Sequence, residues 1–115
     1  MIDTKLQLKD GQTIAVVGEN VPFELAAQRA TTTSADAVLV FATNSAQLEQ
    51  YLELLNGSAE AGKIVWIAYP KARKLATDIN RDIIREITNK NGLDTVRQIA
   101  IDETWSALRL KRYTS

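Results

Sequence analysis

The chain has 115 residues, 45% of them hydrophobic and 24% charged, with 14 Lys or Arg balancing 14 Asp or Glu. That is the size and make-up of one ordinary globular domain, 1-115, with enough apolar residues for a single core. It has no cysteine and no histidine, which excludes disulfides, thiolate nucleophiles, Cys/His zinc sites, Ser-His-Asp chemistry and an imidazole base.

Catalysis would have to come from carboxylates, Lys, Arg, Tyr, Ser, Thr or an oxygen-bound hard metal. No apolar run approaches the roughly 20 residues that span a bilayer. The opening MIDTKLQLKDGQ is polar and offers no secretory apolar segment. A cytoplasmic protein without a membrane partner is therefore expected. The zero net charge conceals an asymmetry: residues 1–60 carry three Lys or Arg against eight Asp or Glu, and residues 61–115 carry eleven against six. Such polarity can steer an anion toward one face; the alternative is two ordinary solvated surfaces whose charges cancel side by side.

In chain order, residues 1–12 form a polar lead-in, with Leu6 and Leu8 alternating against polar neighbours as a short edge strand or a tail. Asp10-Gly11 is a turn signal. Thr13 to Gly18 is a β-branched run, apolar on both faces, as a strand covered on both sides requires. Pro22 suits the first turn of a short helix running to about Ala30. Ala37 to Thr43 is a second buried strand. Asn44 with Gln47 forms a weak capping box for a helix from Ser45, whose Leu48, Tyr51, Leu52 and Leu55 make one stripe, and Asn56-Gly57 ends it.

Lys63 to Tyr69 is the third apolar strand, stopped by Pro70. A basic loop follows, then a helix opening near Asp78 with Ile79, Ile83, Ile84 and Ile87 inward, and Asn91-Gly92 stopping it. Thr95 to Ile101 alternates raggedly and Trp105 to Arg112 cleanly, with Asp102-Glu103-Thr104 between them as a hairpin connection. The expected fold is α/β: a three-layer Rossmann-like sandwich of about five strands with a C-terminal antiparallel hairpin. Small-molecule methyltransferases of the Rossmann-like class end similarly. That likeness implies the sheet order 1-2-3-5-4, counting the five expected strands along the chain.

Candidate chemistry gathers at the C-terminal ends of the strands, where open α/β sheets bind ligands. Lys71, Arg73 and Lys74 are the densest basic cluster. With Thr77 and Asp78 at the following helix start, they form a candidate anion site of cations and free N–H groups. A solvated basic loop with two helix caps is the plainer account, and Asp78 with Asp82 is too small a set for a metal. A second wall is formed by Asp102, Glu103, Thr104, Trp105 and Ser106. An antiparallel returning strand starts where its parallel neighbour ends, so Trp105 and Ser106 should lie beside Tyr69 to Lys74.

No cofactor is expected. Gly18-Glu19-Asn20 lacks the G-x-G-x-x-G and Gly-Lys-Ser/Thr fingerprints, and no carboxylate ends the second strand, which counts against NAD and S-adenosylmethionine. Nucleic acid is disfavoured by zero net charge and the lack of an aromatic platform among the cations.

The runs W-x-x-Y-P-K (Trp66 to Lys71), TDINRDIIRE (Thr77 to Glu86) and DETWSALR (Asp102 to Arg109) resemble a domain-of-unknown-function family of small bacterial proteins, over residues 36–112. The resemblance implies a fold and a set of positions, with no reaction attached. Three readings follow. The first is a binding or interaction module that takes a small anionic ligand or a protein partner at the sheet's C-terminal edge. The second is a degenerate transferase-like enzyme, with Asp102 or Glu103 as base and Lys71 and Arg73 holding an anionic substrate. The third is a homodimer surface on the helices or an edge strand.

Overall fold

The computed structural model describes residues 6–9, 11–18, 28–71 and 79–112. Its strands are β1 (Thr13–Val17), β2 (Gln28–Arg29), β3 (Ala37–Phe41), β4 (Ile64–Pro70), β5 (Leu93–Ala100) and β6 (Trp105–Arg112), with helices α1 (Ser45–Glu60) and α2 (Arg81–Lys90). They form one sheet in the order β2-β1-β3-β4-β6-β5. The first four positions are parallel; β6 runs antiparallel to both β4 and β5.

The sheet has six strands where about five were expected. The addition is β2, whose Gln28 and Arg29 pair with Thr13 and Ile14, while the Ala30 N–H donates to the Ile14 carbonyl at 3.0 Å. These residues were expected to close a helix from Pro22. Instead they satisfy backbone groups on the outer edge of β1 that would otherwise be unpaired. The remainder of that expected helix lies outside the described residues.

Alternation along the strands sorts the core into two layers. Val38 and Val40, Val65 and Ile67, and Leu108 and Leu110 face one side, where Leu48 and Leu55 of α1 and Ile84 of α2 cover them. Leu39 and Phe41, Trp66 and Ala68, and Trp105 and Ala107 face the other, packed with Leu6 and Ile101. The β3-α1-β4 and β4-α2-β5 connections advance across the sheet in the same direction. Right-handed crossovers therefore place both helices on one face. A helical layer on the opposite face, which the three-layer expectation requires, is not seen among the described residues.

That opposite face is covered in part by residues 6–8. The lead-in is thus a strap and not an edge strand: Leu6 is fully buried, its carbonyl accepts the Trp66 indole N–H at 2.9 Å, and Arg109 donates to the Gln7 side chain. Here a large aromatic is buried with its one polar atom satisfied.

Local signals shift several boundaries. Asn44 caps α1 by accepting the Gln47 N–H at 2.9 Å, but the Gln47 side chain reaches the N–H and hydroxyl of Thr43, at 2.7 and 2.8 Å, and so forms only half a capping box. The helix runs past Asn56-Gly57 to Glu60. Asn56 instead donates to the Asn91 carbonyl, and the left-handed residue that follows α1 is Gly62, at φ +80°. Helix α2 is capped by Asn80, whose Oδ1 accepts the Ile83 N–H at 2.9 Å, so its first residue is Arg81, three past the expected opening near Asp78. The ragged alternation of β5 comes from a register shift between Thr95 and Arg97. The bulge leaves Val96 47% exposed, the one large exposed hydrophobic among the described residues. No helix among them is long and apolar enough to cross a membrane.

Replacing Trp66 with Phe strands the buried Leu6 carbonyl and should lower unfolding free energy by about 1–3 kcal/mol. Val96→Ala should change it by no more than about 0.5 kcal/mol. Urea titration of both variants checks the contrast, and faster amide exchange at residues 6–8 in the first would locate the loss in the strap.

Candidate functional site

The C-terminal edge of the sheet is built by the end of β4 and the start of β6. Tyr69 pairs with Ser106 and Pro70 with Trp105, and the Lys71 N–H carries the ladder one bond further, to the Thr104 carbonyl at 2.7 Å. Hairpin and strand end therefore adjoin, as an antiparallel return dictates. Of the expected basic wall, Lys71 is described and half-buried here; Arg73, Lys74, Thr77 and Asp78 lie outside the described residues.

Of the residues expected as a second wall, Ser106 lines a cleft with Lys71, and the others are placed differently. Asp102 folds back on its own turn: its Oδ1 accepts the N–H groups of Thr104 and Trp105, both at 2.8 Å. This is an Asx turn, in which the carboxylate replaces missing backbone partners. Glu103 is exposed, and Thr104 contributes its carbonyl to Lys71. Trp105 and Ser106 are neighbours on a strand, so they point to opposite faces. Trp105 meets Phe41 edge to face, with ring centroids 5.2 Å apart and planes at 74°. Ser106 lies on the helix face with Tyr69.

On that helix face a cleft of about 320 Å³ opens between β4, β6, β5 and the start of α2. Tyr69, Ser106, Gln98, Asn80, Lys71 and Arg81 line it, with Asp82 at the rim. The Gln98 amide N–H donates to the Tyr69 hydroxyl at 3.3 Å, and an Arg81 Nη donates to the Gln98 carbonyl oxygen at 3.1 Å. Arg81 also lies 3.7 Å from Asp82, a loose pair that solvent screens. Asn80 is already committed to its cap. What the cleft offers a ligand is two cations, two hydroxyls and the positive end of α2, set against one carboxylate, that of Asp82.

Burial raises the Tyr69 pKa above its ordinary value of 10.0. The Ser106 hydrogen bond and the Arg81 charge pull it down, and the Asp82 charge pushes it up. Tyr69 thus stays a neutral hydroxyl at physiological pH, able to donate to an anion. Tyr69, Asn80, Arg81 and Gln98 were not singled out as site residues from the sequence. In the sequence Gln98 falls on the polar side of a ragged alternation; only the register of β5 on β6 sets it opposite Leu108.

A second cavity, of about 370 Å³, lies at the ends of β1 and β3 beside the first turns of α1, with Trp105 reaching into its lining. It adjoins Gly18, read from the sequence as a turn glycine. Gly18 has φ +133°, and a Cβ there would come within 2.8 Å of the Phe41 Cβ. Its absence of a side chain is required by packing as well as by the turn. No group of three or more acidic side chains among the described residues is placed to hold a metal.

Because folding raises the Tyr69 pKa, the folded protein holds that proton more tightly than the unfolded chain. The resulting stability is complete below the unfolded pKa and is lost as pH rises through the folded value. Urea midpoints measured from pH 8 upward should fall beyond about pH 10 more steeply in the wild type than in Tyr69→Phe. At neutral pH that variant should lose about 1 kcal/mol with its hydroxyl. No family model matches the chain, and no curated protein matches it.

Proposed function

We propose that the protein is a small cytoplasmic binding module that takes the anionic group of a small molecule, a phosphate or carboxylate, in the cleft between the C-terminal ends of β4 and β6 and the start of α2. The observation that carries this reading is the convergence of Lys71 and Arg81 with the hydroxyls of Tyr69 and Ser106 at a helix N-terminus. Cations and donors meeting in one concavity suit bidentate or multidentate recognition of an oxyanion. The sheet's antiparallel β6 between β4 and β5 also fits the Rossmann-like, methyltransferase-like reading of the topology. The Tyr69-Pro70-Lys71 and Asp102 to Arg109 motifs support membership in the bacterial family they resemble.

The transferase-like alternative asks Asp102 or Glu103 to serve as base. Asp102 is held in its turn by two N–H groups, and neither residue lines the cleft. Binding is the better-supported role.

Thermal melting with inorganic phosphate, sugar phosphates and small dicarboxylates tests the proposal. A ligand at a hundredfold excess over its dissociation constant stabilises by about 2.7 kcal/mol, a shift of many degrees in a domain of this size. Lys71→Ala combined with Arg81→Ala should abolish the shift. Equal shifts in wild type and double variant would place the anion elsewhere, and no shift across the panel would refute anion binding by these classes.

A further inference from the structure

The two edges of the sheet are unequal. β2 is two residues long, a poor template for a partner, whereas β5 runs for eight, and no described residue pairs along its outer side between Leu93 and Ile99. A long open edge is a ready pairing surface, and proteins commonly blunt one with lysine, proline or a bulge. β5 contains neither lysine nor proline. It has the bulge, which leaves Val96 47% exposed on this edge strand.

The bulge also decides which side chains share a face. Leu93 packs in the core under the helices, Thr95 accepts the Arg85 Nε–H at 3.1 Å, and Gln98 is held by Arg81, so these three face α2. Asp94 alternates with the first two and Arg97 with the third, which puts both charges on the other face. Without the extra residue, positions three apart would point to opposite sides. Arg97 is exposed, and neither it nor Asp94 has an ion pair or side-chain hydrogen bond among the described residues. Arg97 also stands opposite Arg109, a like charge that is unfavourable across a ladder. A second copy supplies the missing counter-charge. In a twofold antiparallel pairing each contact occurs twice, and opposed residues must lie on the same face. An axis between Thr95 and Val96 meets that condition, with Leu93 opposite the partner's Gln98 and Asp94 opposite the partner's Arg97. An axis through Thr95 would oppose Leu93 to Arg97, and one through Val96 would oppose Asp94 to Gln98, each from different faces.

We infer that the protein forms a twofold dimer through β5, which pairs antiparallel with β5 of a second copy about an axis between Thr95 and Val96, closing two reciprocal Asp94–Arg97 pairs and covering Val96. Both long edges are then paired, so assembly stops at two copies with only the short β2 strands outermost. The inference does not depend on the anion cleft.

Sedimentation velocity of the full chain over a concentration series is the test. The wild type should pass reversibly from monomer to dimer, with association weakened by added salt. Asp94→Arg and Arg97→Asp should each weaken it roughly tenfold, since each sets like charges opposite at both symmetric positions. An equimolar mixture of the two variants should regain association as a heterodimer, because each contact again joins opposite charges. Val96→Lys, at an exposed position, should also weaken the dimer, and it carries the test if a charge variant fails to fold, as circular dichroism of dilute samples would reveal. A wild type that stays monomeric at every concentration overturns the inference. So does a dimer unaffected by the charge variants and by Val96→Lys, which would place the interface elsewhere. A mixture of folded charge variants that associates no better than either alone overturns the register.

Discussion

The structure depends on the seating of its last strand. β6 comes last in the described chain but lies between β4 and β5, hydrogen-bonded on both sides. Its first residues, Trp105 to Leu108, are all buried, as is Leu110. Without it, β4 and β5 would each present an open edge, an arrangement that exposes unpaired N–H and C=O groups. The crossover through α2 must also leave a gap of two strand spacings, about 10 Å, for β6 to enter. The sheet therefore cannot close until the C-terminal residues arrive. This non-local pairing carries a loop-closure cost before it is rewarded.

The same seating organises the edge where ligands would bind. An antiparallel strand inserted among parallel ones brings its beginning to their ends, which is why Trp105 and Ser106 stand beside Pro70 and Tyr69. Strand alternation then sends the two residues to opposite faces. Ser106 joins a polar cleft at the start of α2, and Trp105 packs on Phe41 and borders the second cavity. Two adjacent residues thus belong to two different concavities.

Much of this could be read from the residues. β1, β3, β4 and β6 are legible because each is a short apolar or alternating run with a clear stop, and the start of β6 was expected beside the end of β4 only through the sheet order that the methyltransferase likeness implies, together with chain direction. β2 was illegible: Gln28 and Arg29 are exposed and polar, and they are strand only because the edge of β1 lies beside them. The bulge at Val96 broke the period by which β5 would be recognised. Asn56-Gly57 is a strong stop signal that tertiary contact overrode, with Asn56 drawn to the end of α2. At the site, Asp102 was ambiguous because a turn and a general base ask for the same side chain. Asn80 and Arg81 stand inside the Thr77 to Glu86 run but were not read as site residues, and Gln98 belongs to no motif; the α2 crossover and the β5 bulge bring the three together.

The rim between the two concavities is stiff for reasons that can be named. Pro70 fixes its own φ and donates no hydrogen bond, so the ladder is continued by the N–H of Lys71 to Thr104. Asp102 locks the hairpin by holding the N–H groups of Thr104 and Trp105, and the Trp105 carbonyl accepts those of Ile101 and Asp102 at 2.9 and 3.2 Å. Gln47 holds Thr43 in the lining of the second cavity. A rim constrained before a ligand arrives has less conformational freedom to lose on binding, and this is where preorganised sites gain affinity. The conformation of Asp102 therefore bears on the shape of both concavities without its carboxylate lining either among the described residues. It sets the height of Trp105 on one side and Ser106 on the other, so a loosened turn would disturb both concavities at once.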